Sequence, residues 1–374
     1  MEKSQFIEYV DKYFSGITLS VSKKLNEKNE SELEYRFLKM FKQKYYQGVD
    51  WNTLIQNNTN IAADIVSMNS KLPLKKRDGI KVATGKIPKL GMEFQLNESQ
   101  LKELRVLSAM ASTSSTSEER TMLEKQLIRE IFKDVERALK GIYERHELLA
   151  LRGLSEGVVA VDENENEGTS IRVDYGYLAD HKFGVDNLWA DSNNAKPIDD
   201  IDRVLEKARI DGNTPRIMML DRPTLRKLGA TKQMKEQYVF FKDVNLANTA
   251  SVPNITIEKI KEYFLENNKL SIEVIDRIVK VEKNGKQQNI TPWKEGMVVF
   301  LSDMNVGDLV WTDVAEMTDR HKSADYVVVD NHILLTKYLT RRPLLEHTDS
   351  QSMSLPVISK VDEIYQLDTK TVQA

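Results

Sequence analysis

With 374 residues the chain is long enough for two or three core-forming units, since single domains run on the order of 100–200 residues. Hydrophobic residues at 40% exclude a disordered chain, and 54 basic against 57 acidic residues, a net charge of -3, exclude a whole-chain attraction to nucleic acid, so a charge-driven partner must be met by a local patch. Cysteine is absent, which excludes disulfides, thiolate zinc sites, iron–sulfur clusters and a cysteine nucleophile, and fits a reducing cytoplasm.

The first residues, Met1 to Glu8, carry charges where a secretory segment needs an apolar run, and no stretch reaches the roughly 18 apolar residues of a membrane span. The sequence therefore predicts a protein made and used in the cytosol, with no membrane partner. Residues 1–70 combine short helical stripes (Phe6, Val10, Tyr13, Phe14; Leu33, Phe37, Met40, Phe41) with polar interruptions, and read as an extended arm carrying short helices. Such helices gain most of their stability by packing elsewhere, either on a neighbouring subunit or on the chain's own core.

Residues 71–96 are basic. Lys71, Lys75, Lys76, Arg77, Lys81, Lys86 and Lys89 are opposed only by Asp78 and Glu93. Alternation in Ile80-Lys81-Val82 and in Met92 to Leu96 predicts two strands joined by a loop around 84–90, a projecting hairpin. Two functions fit its lysines: contacts to a partner, or a solvated edge kept from aggregating.

The run Ser112 to Ser117 ends at Glu118-Glu119, offering capping boxes from Ser115 to Glu118 or from Thr116 to Glu119. Leu123, Leu127, Ile131, Val135, Ala138, Leu139, Ile142 and Tyr143 then fall on one helical stripe, predicting a helix over about 118–152 that stops at Gly153. Strands over Gly157–Val161 and Thr169–Gly176 flank a turn bearing Asp162, Glu163, Glu165 and Glu167, an acidic patch that could meet the basic hairpin. From about residue 190 the texture is α/β: helices over Ile198–Ala208 and from Pro223, strands over Arg216–Leu220, near Ser271–Val281, over Met297–Leu301 and near Tyr326–Lys337.

Gly153-Leu154-Ser155-Glu156-Gly157 spells a hydrolase nucleophile elbow, but that motif needs a strand before the serine and a helix after it, the reverse of the predicted order. Asp162, Asn164 and Asn166 mimic the start of a calcium loop whose glycine falls late, at Gly168, and whose bidentate position holds Val173. His146, His181, His321, His332 and His347 include no pair at metal-ligand spacing, and no phosphate-binding loop is present, so no cofactor and no metal are expected.

A series of short segments carries a resemblance. These are Arg145 to Gly153 at the helix end, Val173-Asp174-Tyr175-Gly176, Leu188-Trp189-Ala190-Asp191 leading into Ala195–Ile201, Trp293 to Phe300 with Gly307, and Ser354-Leu355-Pro356-Val357 before Val361 to Tyr365. In this order, over about 71–368, they resemble the lambda-type major capsid proteins of tailed bacteriophages. The resemblance implies the Hong Kong 97-type (Johnson) capsid fold, an α+β fold shared with encapsulins. Its parts would be an N-terminal arm (1–70), an extended loop (71–97), a peripheral domain (98–190) holding the spine helix 118–152, an axial domain (191–320), and a return to the peripheral domain (321–374).

It also implies a non-enzymatic shell protein of the virion, assembled in the host cytoplasm as pentamers and hexamers. The implied partners are a scaffolding protein, a portal, decoration proteins and packaged double-stranded DNA held without sequence specificity. On this reading Lys75, Lys76, Arg77, Lys81 and Lys86, with Glu163 and Glu165 opposite, are inter-subunit contacts. Two alternatives stay open: an encapsulin-like compartment of the same fold, and a cytosolic α/β hydrolase using Ser155.

Overall fold

A computed structural model describes residues 1–26, 35–55, 81–161, 166, 170–241 and 255–373. Along the chain come α1 (Ile7–Asn26), the single turn α2 (Phe37–Met40), β1 (Phe41–Tyr45), β2 (Asp50–Ile55), β3 (Lys81–Lys86), β4 (Lys89–Leu96), α3 (Glu98–Thr113) and α4 (Ser117–Glu156). Next are β5 (Val158–Val161), β6 (Ile171–Asp174), β7 (Lys182–Val185), α5 (Pro197–Ile210), β8 (Ile217–Asp221), α6 (Arg222–Ala230), α7 (Lys232–Phe241) and α8 (Ile257–Asn267). The chain ends with β9 (Ser271–Ile275), β10 (Val279–Lys283), β11 (Lys286–Ile290), β12 (Met297–Leu301), β13 (Gly307–Thr312), α9 (Ala315–Thr318), β14 (Asp325–Val329), β15 (Ile333–Arg341), β16 (Leu344–Ile358) and β17 (Ile364–Val372).

Two compact units result. The first comprises Met1–Trp51, Lys86–Glu147 and Leu309–Pro356; the second comprises Asn52–Gly85, Leu148–Asp308 and Val357–Ala374. Helix α4, of 40 residues and about 60 Å at 1.5 Å per residue, supplies residues to both. It begins after Thr116 as predicted, the Glu119 amide donating to Thr116 Oγ1 at 3.3 Å, while the Glu119 carboxylate accepts from Ser114 Oγ at 2.9 Å in place of the Thr116 amide. Its end differs from expectation. Gly153 is helical and is glycine for space, since a Cβ there would lie 2.7 Å from the Tyr175 ring, and the helix stops instead at Gly157, whose φ of +75° suits the left-handed closing position.

The first unit is a six-stranded sheet, β1-β13-β16-β15-β14 with β4 on β16, packed on α4. The stripe Leu127, Ile131, Val135, Ala138, Leu139, Ile142 and Tyr143 is buried as predicted. What faces it from β16 is polar: Ser350 Oγ donates to the Ala138 carbonyl at 2.8 Å, and Ser354 Oγ lies 2.7 Å from His146 Nε2. Alternate residues of a strand share a face, so Glu346, Thr348, Ser350, Ser352 and Ser354 form one buried stripe of short polar side chains.

The described N-terminal residues pack on this chain. Helix α1 buries Val10 and Phe14, the latter stacked on Phe132 at 6.4 Å, and Glu2 exchanges backbone hydrogen bonds with Leu339 at 2.8 and 2.7 Å. Of the apolar residues left open by the sequence, Phe6, Val10, Phe14, Phe37, Met40 and Phe41 are buried on this chain's own core, and Leu33 lies outside the described residues. Around Tyr326–Lys337 the chain forms a hairpin, β14 on β15, turned at Asp330 and Asn331, both at positive φ.

The second unit is a five-stranded mixed sheet, β7-β17-β12-β8-β9. Central β12 reads Met297-Val298-Val299-Phe300-Leu301 and is buried at every residue, the continuous apolar run of a strand covered on both faces. Its core joins Val298 and Phe300 to Ile201 and Val204 of α5, Leu225 and Leu228 of α6 and Phe264 of α8. Helix α5 opens on Pro197, and its Asp200 accepts the Trp189 indole N–H at 2.9 Å, which fixes the tryptophan stretch noted in the sequence. Strand β13 begins at Gly307, where a Cβ would sit 2.0 Å from the Val357 carbonyl oxygen, so only glycine fits.

Candidate assembly surface

The basic segment is not a hairpin of two neighbouring strands. Both predicted strands exist, but β3 pairs with β2 as a separate two-stranded ribbon, while β4 joins the first unit's sheet through β16. Period-2 alternation marks strands and leaves their partners undetermined. The ribbon is thus made from 50–55 and 81–86, with the Ile87 amide bonding the Val49 carbonyl at 2.7 Å at its base.

Of the residues predicted to make inter-subunit contacts, Lys81 opens β3 and Lys86 closes it with an exposed side chain. Lys75, Lys76, Arg77, Glu163 and Glu165 lie outside the described residues. The calcium-like turn falls there also, apart from Asn166. Strands β5 and β6 flank that turn and pair antiparallel, as predicted.

Strand β4 is held on both faces. Towards α4, Phe94 lies under the Arg137 guanidinium, 4.3 Å away, and Met92 fills the space that Gly141 leaves. On the opposite face, Glu93 Oε1 lies 2.6 Å from His347 Nδ1, His347 Nε2 lies 2.9 Å from Thr340 Oγ1, and the Tyr338 ring stacks on the imidazole at 4.6 Å. Burial raises the Glu93 pKa, but hydrogen bonds from Gln95 and His347 outweigh it and leave the carboxyl below its ordinary range. Asp349, beside them on β16, is pushed up to about 6, chiefly by burial. Glu316 and Glu93 add to that rise.

Between sheet and helix the first unit buries an ion pair. Lys337 Nζ contacts Glu346 Oε1 at 3.1 Å, Thr348 Oγ1 at 3.0 Å and the Ile131 carbonyl at 3.4 Å, and Ser4 Oγ donates to Glu346 at 2.6 Å. Lys337 and Glu346 are both fully inaccessible. Composition and spacing gave no sign of this pair; the only signal was a lysine and a glutamate set in otherwise strand-like runs.

The helix-end segment Arg145 to Gly153 has a structural meaning too: Glu147 Oε2 accepts the Phe37 amide at 2.9 Å, tying the α2 turn to α4. Ser155 lies in the last turn of α4 with β5 after it, so the strand–serine–helix order of a nucleophile elbow is not formed. Its hydroxyl is buried and accepts the Lys294 amide at 3.1 Å. Among the described residues no cluster of three metal-ligating side chains occurs, and no helix is long and apolar enough to cross a membrane.

A family model for phage major capsid protein E matches residues 20–369. No curated protein matches the chain. Among solved structures, a prophage protein of Escherichia coli CFT073 named as a capsid protein shares the fold at a TM-score of 0.56 and 12% identity, over 98% of this chain and 99% of that one. A cyanophage A-1(L) capsid subunit (TM-score 0.43, 12% identity, 93% of this chain and 96% of that one) and an encapsulin of Synechococcus elongatus PCC 7942 (0.37, 9%, 93% of each) also match.

Proposed function

The chain belongs to the phage major capsid protein E family and is a structural shell subunit of the virion with the Hong Kong 97-type fold, and we propose that its copies close as pentamers and hexamers around double-stranded DNA. The DNA is held without sequence specificity. Scaffolding, portal and decoration proteins are the further partners, assembly takes place in the host cytoplasm, and no chemical step is catalysed.

The observation that carries the subunit-contact reading is the β2–β3 ribbon. Among the described residues it pairs with no third strand, and an isolated two-stranded ribbon is marginal in water unless it packs on a partner. Lys81 and Lys86 sit at its two ends, and Lys75, Lys76 and Arg77 belong to the segment that joins its strands. A neighbouring copy is the natural partner in a shell, where many weak contacts add to a strong one. On this reading the first compact unit corresponds to the peripheral domain and the second to the axial domain.

Negative-stain electron microscopy with light scattering, on protein made with and without a scaffold candidate, tests the assembly. Closed shells or capsomers are expected, and monodisperse monomers under both conditions overturn it. Shells enclosing a protein cargo in place of DNA would identify an encapsulin-like compartment. Reversing Lys75, Lys76, Arg77, Lys81 and Lys86 to glutamate should block assembly while circular dichroism stays unchanged; assembly that survives the reversal removes these residues from the interface.

A further inference from the structure

A cavity of about 280 Å³ opens in the first unit between the end of α1, the α2–β1 junction, α4 and the β14–β15 turn. Phe37, Phe41, Tyr143 and Leu309 give it a buried, largely apolar lining, and exposed Asn26 and Gln43 line its solvent side. Two groups in its wall have acceptor capacity that no described residue uses.

The first is the Asp330 carboxylate. It accepts from Ser22 Oγ and Asn26 Nδ2, each at 2.9 Å, and from the Tyr143 hydroxyl. These donors are neutral, and among the described residues no lysine or arginine pairs with it. The second is His332, buried and held neutral by that burial. Its Nδ1 lies 2.6 Å from the Asp330 carbonyl oxygen and so carries the proton, which leaves Nε2 a bare lone pair, buried and without a partner among the described residues.

We propose that this cavity binds a primary alkylammonium group, with its alkyl chain on Phe37, Phe41 and Leu309 and its charged head against the Asp330 carboxylate and the bare ring nitrogen of His332. An ammonium carries only donors, and both free groups are acceptors. Aromatic faces favour a cation, and the carboxylate repels an anion. A free small amine and the lysine side chain of a second copy share this chemistry.

The test is calorimetric titration of the full-length protein at pH 8 with n-butylammonium chloride and with its neutral counterpart butan-1-ol. Butylammonium should bind at least tenfold more tightly. Asp330→Asn should abolish that preference without unfolding the chain, since asparagine keeps the acceptor oxygen and tolerates the φ of 49° at this position. Equal binding of the two compounds, no binding, or an unchanged preference in D330N overturns the proposal. If D330N fails to fold, the comparison of the two compounds on the native chain still decides. Binding in unassembled subunits that disappears in shells assigns the group to a neighbour's lysine; binding kept in shells assigns it to a free amine.

Discussion

In the first unit the sheet turns a polar stripe towards α4, whereas in the second the central strand is apolar at every position. The stripe of Glu346, Thr348, Ser350, Ser352 and Ser354 meets the helix through hydrogen bonds and holds one buried ion pair, Glu346 with Lys337; Val298 and Phe300 of the other strand meet their helices through volume alone. The difference is one of tolerance. An apolar core accepts substitutions that keep its volume, while a buried pair accepts none that removes a single partner. A one-residue slip of β16 would turn the whole polar stripe away from the helix, so the first unit has one register that satisfies its buried groups.

The comparison breaks most directly at Lys337. Lys337→Met leaves Glu346 charged, buried and unpaired, and should cost about 3–5 kcal/mol. Adding Glu346→Leu should restore most of the loss, because replacing both partners removes the stranded charge. Urea unfolding of the single and double variants checks this, and a double variant no more stable than the single would show that the pair does not act as a unit. The counterpart in the second unit is Gly307→Ala, whose added methyl meets the Val357 carbonyl oxygen. A loss of about 1–3 kcal/mol is expected from the forced backbone shift, with no second-site charge change able to rescue it.

Acid should separate the units next. His146 and His332 of the first unit are buried, and burial lowers both pKa values, that of His146 the further. Depressed histidines contribute stability that is complete above the unfolded pKa of about 6.5 and is lost as pH falls below it. Each contributes a slope of up to about 1.4 kcal/mol per pH unit. Amide exchange, corrected for its intrinsic pH dependence, should quicken in β15 and β16 between pH 7 and 5 while β8 and β12 stay protected. Equal loss in both units would assign the acid response elsewhere.

What the sequence made legible follows the same division. In the second unit α5, β8, α6 and β12 could be placed because runs such as Met297 to Leu301 are unambiguous, whereas α7, α8 and β11 were missed. The stripe of α4 was equally plain, and its start followed from the Thr116 side chain that caps it. Helix α3 was missed although Asn97 and Gln100 cap it reciprocally and Leu101, Leu104 and Ala111 keep helical spacing. The β16 stripe was missed for a physical reason: serine and threonine at period two read as loop, since their burial depends on a helix more than 200 residues away in sequence. The pairing of β3 with β2 was hidden in the same way, because alternation carries no information about which strand lies alongside.

Asp349 offers the finest test, on the face of the sheet opposite the ion pair. Burial raises its pKa to about 6, with Glu316 and Glu93 adding to the rise. A raised carboxyl binds more protons folded than unfolded between the two pKa values, so its effect runs against that of the histidines: stability grows as pH falls from above 6 towards 4. At pH 8 the ionised carboxylate is a burden, and Asp349→Asn should stabilise the chain by up to about 3 kcal/mol, a bound set by the shift of its pKa. Below about pH 3 the carboxyl is protonated in both states, and the benefit should vanish. The native curve should therefore fall less steeply with acid than His146 and His332 alone dictate, and removing Asp349 should steepen it. A D349N curve parallel to the native one at every pH would mean that Asp349 keeps an ordinary carboxyl and that the opposite face of the sheet, unlike the one against α4, is electrostatically neutral to folding.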